Sequence, residues 1–173
     1  MFNKIFSEKK LFILGLLIAG CVGFLDLYSK ILIFNFLDNL VLSGQSQYPQ
    51  LAITSFFNLV QVWNKGVSFG MFNKLTNGKY IILAVNLMIL IILLVWLYKN
   101  QIIYLTWAIA LIIGGAIGNI IDRILNDSVA DFLDFYIGKY HWPAFNLADS
   151  AVFLGVALLL LENYFVKPIK NEK

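Results

Sequence analysis

Histidine, cysteine and arginine are almost missing from this chain, and each shortage removes a class of chemistry. The single cysteine, Cys21, excludes an internal disulfide, and the single histidine, His141, leaves no zinc-binding set. The one arginine is Arg123. Charge is scarce as well: 13% of residues are charged, and the net charge of +3 comes without a basic block. Nucleic-acid binding therefore has no footing. Internal repeats and low-complexity linkers are also lacking.

Hydrocarbon is what the chain has in abundance. Of 173 residues, 60% are hydrophobic and the mean hydropathy is +0.79, far too apolar for a soluble domain. A bilayer core of about 30 Å needs roughly 20 apolar residues per spanning helix. Four stretches qualify, at about residues 11–33, 80–98, 102–121 and 146–166. Outer segments 34–79 and 122–145 join them into one polytopic domain over residues 1–173. Lys4, Lys9 and Lys10 before the first span, Lys99 in a short link, and Lys167, Lys170 and Lys173 after the last are expected in the cytoplasm, with both termini. The asymmetry is weak, because Lys30, Lys65, Lys74, Lys79, Arg123 and Lys139 fall on the other side.

The first span also imitates a cleavable lipoprotein signal, with basic residues, LFILGLLI and then IAGC ending at Cys21. Apolar residues continue through VGFL into DLYSK, which favours a retained helix with Cys21 as a buried small residue. Asp26 and Lys30 lie four apart on one face of this helix. They make either an internal ion pair that eases insertion, with Lys30 snorkelling outward, or a polar wall of a site.

In the first outer segment, Gly44 and Pro49 punctuate a turn-prone stretch, and LAITSFFNLVQVW has the β-branched and aromatic content of strands. A small sheet on the membrane face would set Phe56, Phe57, Trp63, Phe69 and Phe72 at headgroup depth. Asn64–Gly66 reads as an ordinary hairpin turn. In the third span, Gly114 and Gly118 permit close helix approach. Asn119, Asp122 and Arg123 end it, and a solvated helix end with an interfacial ion pair would account for them. The segment 124–144, with ADFLDFYIGKYHWP, is amphipathic enough for a short helix or turn on the surface.

Acidic residues are costly near lipid, so their clustering between Gly114 and Ser150 marks a candidate site. The polar set Asp26, Lys30, Asn64, Asn119, Arg123, Asp131, Asn146 and Asp149 falls at one predicted membrane edge. Nucleophilic mechanisms fit poorly: Ser150 has only His141 as a base, Cys21 has none, and the Ser7–Lys10 pair sits at the cytoplasmic end. Two carboxylates acting on water remain. Close like-charged carboxyls cannot both ionise, so one keeps a proton; burial raises one pKa while Arg123 or Lys30 holds the other down. Asn146 as N-cap with Asp149 in the first helical turn is equally a capping arrangement without catalysis. Asp127 and Asp134 read as surface residues. A proton or ion path would spread ionisable groups through the membrane, and the second and third spans contain none.

DLYSK at 26–30, NKGVSFG at 64–70, GGAIGNIIDR at 114–123, ADFLDF from Ala130 and FNLADS at 145–150 together resemble the bacterial lipoprotein signal peptidases, or signal peptidase II. Val67 stands where alanine is common in that family, and Ala130 where valine is; both are apolar exchanges. The resemblance implies an all-α membrane protein of four transmembrane helices with a small extracytoplasmic β-sheet and a short outer helix. It implies an aspartic endopeptidase that cleaves prolipoproteins before the diacylglyceryl-modified cysteine of the lipobox. The catalytic dyad carries over to Asp131 and Asp149. Asp26, Lys30, Asn64, Gly66, Asn119, Arg123 and Asn146 carry over as supporting or substrate-contacting residues. No metal or organic cofactor is expected. The expected partners are diacylglyceryl-modified prolipoproteins and membrane lipids, around a monomer in the bacterial inner membrane with its site at the extracytoplasmic face.

Overall fold

The computed structural model describes residues 7–66 and 78–161. Along them run α1 (Glu8–Leu42), β1 (Gln50–Thr54), β2 (Phe57–Asn64), α2 (Gly78–Lys99), α3 (Ile103–Asn126), β3 (Val129–Ile137), β4 (Tyr140–His141) and α4 (Leu147–Leu160). α1, α2 and α3 are each long and apolar enough to cross a bilayer, and the described part of α4 is a shorter apolar helix. Glu162 and the rest of the expected fourth span lie outside the described residues, as do Phe69, Phe72 and positions 67–70 of NKGVSFG.

α3 is the centre of the bundle, packed on α1, α2 and α4. Its glycines allow this. A Cβ on Gly114 would stand 2.6 Å from the Cβ of Val22 and 2.7 Å from the carbonyl of Ala19, so α1 approaches backbone to backbone. At Gly118 a Cβ would collide with the carboxylate of Asp26. The expected packing role of the two glycines is thus seen directly, and at Gly118 it admits a charged group between helices. Ala19, Leu97, Leu105, Ile109 and Ile113 fill the apolar part of the bundle. Cys21, expected to be buried, is instead exposed on the outer face of an unbroken α1.

α1 does not stop at the end of the expected span near residue 33. Its 35 residues make a helix of about 52 Å, well beyond a hydrocarbon core of about 30 Å. The added turns keep an apolar stripe, in which Phe34 and Leu37 are buried. Phe34 packs with Ala130 and Phe132 of β3, and its ring meets Trp63 edge-on at 5.1 Å. Gly44, with φ +72°, then ends the helix by donating to the carbonyl of Val41.

The strands form one antiparallel sheet in the order β1-β2-β3-β4. β1 and β2 occupy the stretch expected to be strands. Residues 124–144 require a correction: α3 continues to Asn126, and the expected surface helix or turn is the hairpin of β3 and β4. Gly138, at φ +60°, and Lys139 form its two-residue loop, since Ile137 pairs with Tyr140. Glycine first in such a loop suits a turn whose twist matches the flanking strands. Asn64 is the last residue of β2 rather than part of a hairpin turn.

Register decides which side chains of β2 share a face with Asp131. Between Leu59 and Val62 the pairing of β2 with β3 shifts, so that Leu59 faces Leu133 but Val62 faces Asp131. Side chains alternate along a strand, and a one-residue shift exchanges the faces. After the shift Asn64, opposite Val129, lies diagonal to Asp131 on the same face.

Candidate active site

All nine residues singled out in the sequence meet where the sheet joins α1, α3 and α4. Asp131 projects from β3 and is 1% exposed. Its Oδ2 accepts from Asn64 Nδ2 at 3.0 Å and its Oδ1 from Asn146 Nδ2 at 2.7 Å. Gly66 N–H donates to Asn64 Oδ1 at 3.2 Å, which orients the amide so that its nitrogen faces Asp131. Asp149 stands in the first turn of α4, and its Oδ1 accepts from Asn119 Nδ2 at 2.8 Å.

Asn146 ties the two acids together. It caps α4, its Oδ1 accepting from the backbone N–H of Asp149 at 2.9 Å, while its Nδ2 donates to Asp131. The capping arrangement anticipated from sequence is real, and the same amide holds the second carboxylate. Ser150, the alternative nucleophile, donates its hydroxyl to the carbonyl of Asn146, and His141 lies on the hairpin beside Asp134. Asparagines thus supply the donors, as buried carboxylates require.

Charge is arranged in the layer beneath. Lys30 is 3% exposed, so it does not snorkel outward. Its ammonium reaches Asp26 at 2.6 Å, Asp122 at 2.8 Å and Asn119 Oδ1 at 3.2 Å. Arg123 donates to the carbonyl of Asn119 at 3.3 Å and lies within electrostatic reach of Asp149, Asp131 and Asp122. Burial pushes the carboxyl of Asp131 up from 3.8 to about 6. The hydrogen bond from Asn64 opposes that rise, the like charge of Asp149 adds to it, and Asn146 and Lys30 oppose it.

Two acids sit differently from their sequence-based placement. Asp122 is no solvated helix end: it is buried, paired with Lys30, and accepts from the backbone N–H of Ala130 at 3.1 Å. Asp134 is no surface residue either: it is 6% exposed and bound by Asn58 at 2.8 Å and His141 at 2.8 Å. Asp127 is exposed and turns the chain at φ 55° after α3. The Gly138–Lys139 turn was the available signal, because a hairpin there makes residues 129–137 a strand and brings Asp134 opposite Asn58.

Helices long and apolar enough to cross a bilayer, with the Asp131 carboxylate and the Asp149 backbone joined through Asn146, define a membrane protein that holds two acids close to one end of its bundle. The family model for Signal peptidase (SPase) II matches residues 10–165. The chain is 41% identical over 163 residues to the lipoprotein signal peptidase of Janthinobacterium sp. (strain Marseille), covering 92% of this chain and 93% of that one. It is 40% identical over 169 residues to that of Francisella tularensis subsp. mediasiatica (strain FSC147), covering 95% and 98%. It is 35% identical over 148 residues to that of Anaplasma phagocytophilum (strain HZ), covering 86% and 90%. Among solved structures, a bacterial membrane enzyme determined in meso at 2.3 Å resolution superposes with a TM-score of 0.71 at 28% identity, covering 100% of this chain and 98% of that one. The chain belongs to the signal peptidase II family, aspartic endopeptidases that remove signal peptides from prolipoproteins.

Proposed function

We propose that Asp131 and Asp149 are the catalytic dyad, and that cleavage falls just before the diacylglyceryl-modified cysteine of the prolipoprotein. The observation that carries this is the Asn146 bridge, which binds one acid by its nitrogen and the other's backbone by its oxygen. Asp131 holds the shared proton, its carboxyl already pushed up to about 6 by burial and by the charge of Asp149. Asp149, at the positive end of α4, takes a proton from the attacking water. Asp131 donates to the scissile carbonyl oxygen, a tetrahedral carbon forms, and the C–N bond breaks as a proton passes to the leaving amine.

Asn64, Gly66, Asn119 and Asn146 orient the acids, and Arg123 balances their charge. A cleft at Arg123 is lined by the charged Lys65 and Asp127 together with Tyr80, Ile82, Leu83 and Ile124, so charged and apolar groups share it. That mixture suits a lipidated peptide whose acyl chains stay in the bilayer. We place the site at the extracytoplasmic face and both termini in the cytoplasm, consistent with Lys9, Lys10 and Lys99 at the opposite ends of α1 and α2. The protein acts as a monomer.

The test is cleavage of a diacylglyceryl-modified prolipoprotein by purified Asp131→Asn and Asp149→Asn. Both variants are expected to fold and to lose cleavage. Wild-type cleavage by either folded variant would remove the dyad assignment.

A further inference from the structure

Asp26 and Asp122 come from different helices, yet they perform matching tasks. Asp26 Oδ1 accepts from the backbone N–H of Ala148 at 2.8 Å, and Asp122 Oδ2 accepts from that of Ala130 at 3.1 Å. Each alanine immediately precedes one acid of the proposed dyad, Asp149 and Asp131. Both alanines are buried, at 0% and 2% exposure. The two carboxylates are joined by one ammonium, that of Lys30, at 2.6 and 2.8 Å. The third contact of Lys30 is Asn119 Oδ1, on the amide that donates to Asp149.

We infer that Asp26, Lys30 and Asp122 are positioning residues forming one clamp that fixes the spacing of the two acids through their backbones. The inference rests on the dyad assignment above. It adds Asp122, which the resemblance did not carry over as a site residue, to the machinery. None of the three needs to touch substrate. The backbone N–H bonds to these buried carboxylates are charge-assisted, roughly twice as strong as neutral ones, and Lys30 adds an ion pair to each. A displacement of about 1 Å at a reacting group can cost about 100-fold in rate, so fixing the spacing has a direct effect on turnover.

The two arms differ in one atomic detail, and that detail supplies the test. Asp122 serves Lys30 and Ala130 with the same oxygen, Oδ2. Asparagine can put its single carbonyl oxygen there and keep both contacts, giving up only the 3.4 Å bond that Oδ1 accepts from Asn126 on the same helix. Asp26 serves Ala148 with Oδ1 and Lys30 with Oδ2. Asparagine there must turn its NH2 toward one of two donors and so loses an arm.

The experiment compares Asp122→Asn, Asp122→Ala and Asp26→Asn in the full-length protein with a diacylglyceryl-modified prolipoprotein, reading kcat and KM separately after a melting check. Asp122→Asn should keep kcat within about threefold of wild type. Asp122→Ala and Asp26→Asn should lose about 10- to 100-fold in kcat. KM should stay within about twofold in all three. Equal losses in the two asparagine variants, or losses carried by KM, would overturn the clamp. If Asp26→Asn fails to fold, the Asp122→Asn and Asp122→Ala pair decides, with equal kcat in the two counting against it. Amide exchange in folded Asp122→Asn gives a second reading: Ala130 stays protected if the arm is kept, and its rapid exchange at wild-type kcat refutes the proposal. The dyad itself is judged separately, because active Asp131→Asn would remove that assignment whatever the clamp variants do.

Discussion

Asp131→Asn should do more than stop cleavage: it should change how the stability of the protein depends on pH. The carboxyl of Asp131 is 1% exposed, and burial, with repulsion from Asp149, raises it from 3.8 to about 6. The folded protein therefore holds this proton to higher pH than the unfolded chain does. Ionising Asp131 costs nothing below about 3.8, where both states are protonated. The cost builds between there and about 6, and is complete above. A shift of roughly two units at about 1.4 kcal/mol each gives ~3 kcal/mol, an upper bound on what wild type loses across that window. Asparagine has no charge to bury, so it escapes this cost and also relieves the repulsion with Asp149.

Asparagine brings one fixed defect, since its NH2 faces a donor from Asn64 or Asn146. That defect does not vary with pH, so the change in the wild-type–variant gap isolates the ionisation. Melting both proteins in the same detergent from pH 3.5 to 7.5 should show the gap moving in favour of asparagine as pH rises. At about 2–4 °C per kcal/mol for a chain of this size, the movement is roughly 6–12 °C in Tm at most. A gap that stays flat, or that moves in favour of aspartate with rising pH, would refute the burial argument for Asp131.

Asn64→Ala removes the hydrogen bond that most favours ionised Asp131. The pair should then keep its shared proton to higher pH, and the alkaline limb of kcat/KM should move up by about half a unit to one unit; an unmoved limb refutes this. Gly118→Ala would drive a methyl into the Asp26 carboxylate, whereas Gly20 has nothing within 4 Å of an added Cβ. Gly118→Ala should cost about 1–3 kcal/mol in thermal stability and at least tenfold in kcat, with Gly20→Ala near wild type in both assays.

Local spacing made part of this site visible in the sequence. The Asp26–Lys30 pair follows from a four-residue helical interval, and the Asn146 cap of Asp149 from a three-residue one; both appear at bonding distance. Asp122 escaped because its partners, Lys30 and the amide of Ala130, come from other elements, so only tertiary packing reveals that it is buried. β3 escaped for a different reason. It is buried on both faces near its start and carries Asp131 on one and Asp134 on the other, so polar and apolar residues do not sort by alternation. The end of α1 is not legible because bilayer thickness sets where a span stops and not where a helix does. Phe34 has a sheet to cover beyond the lipid, and Leu37 is buried one turn further on.

The offset in β2 between Leu59 and Val62 has a genetic consequence. Residues 60 and 61 together stand opposite the single position 132, so the strand has one residue to spare. Loss of either codon would let β2 pair regularly along its whole length, with Val62, Trp63 and Asn64 still opposite Asp131, Ala130 and Val129. Asn64 would keep the face it shares with Asp131. An in-frame deletion of codon 60 or 61 should therefore be a mild allele, although it shortens a strand that carries part of the site.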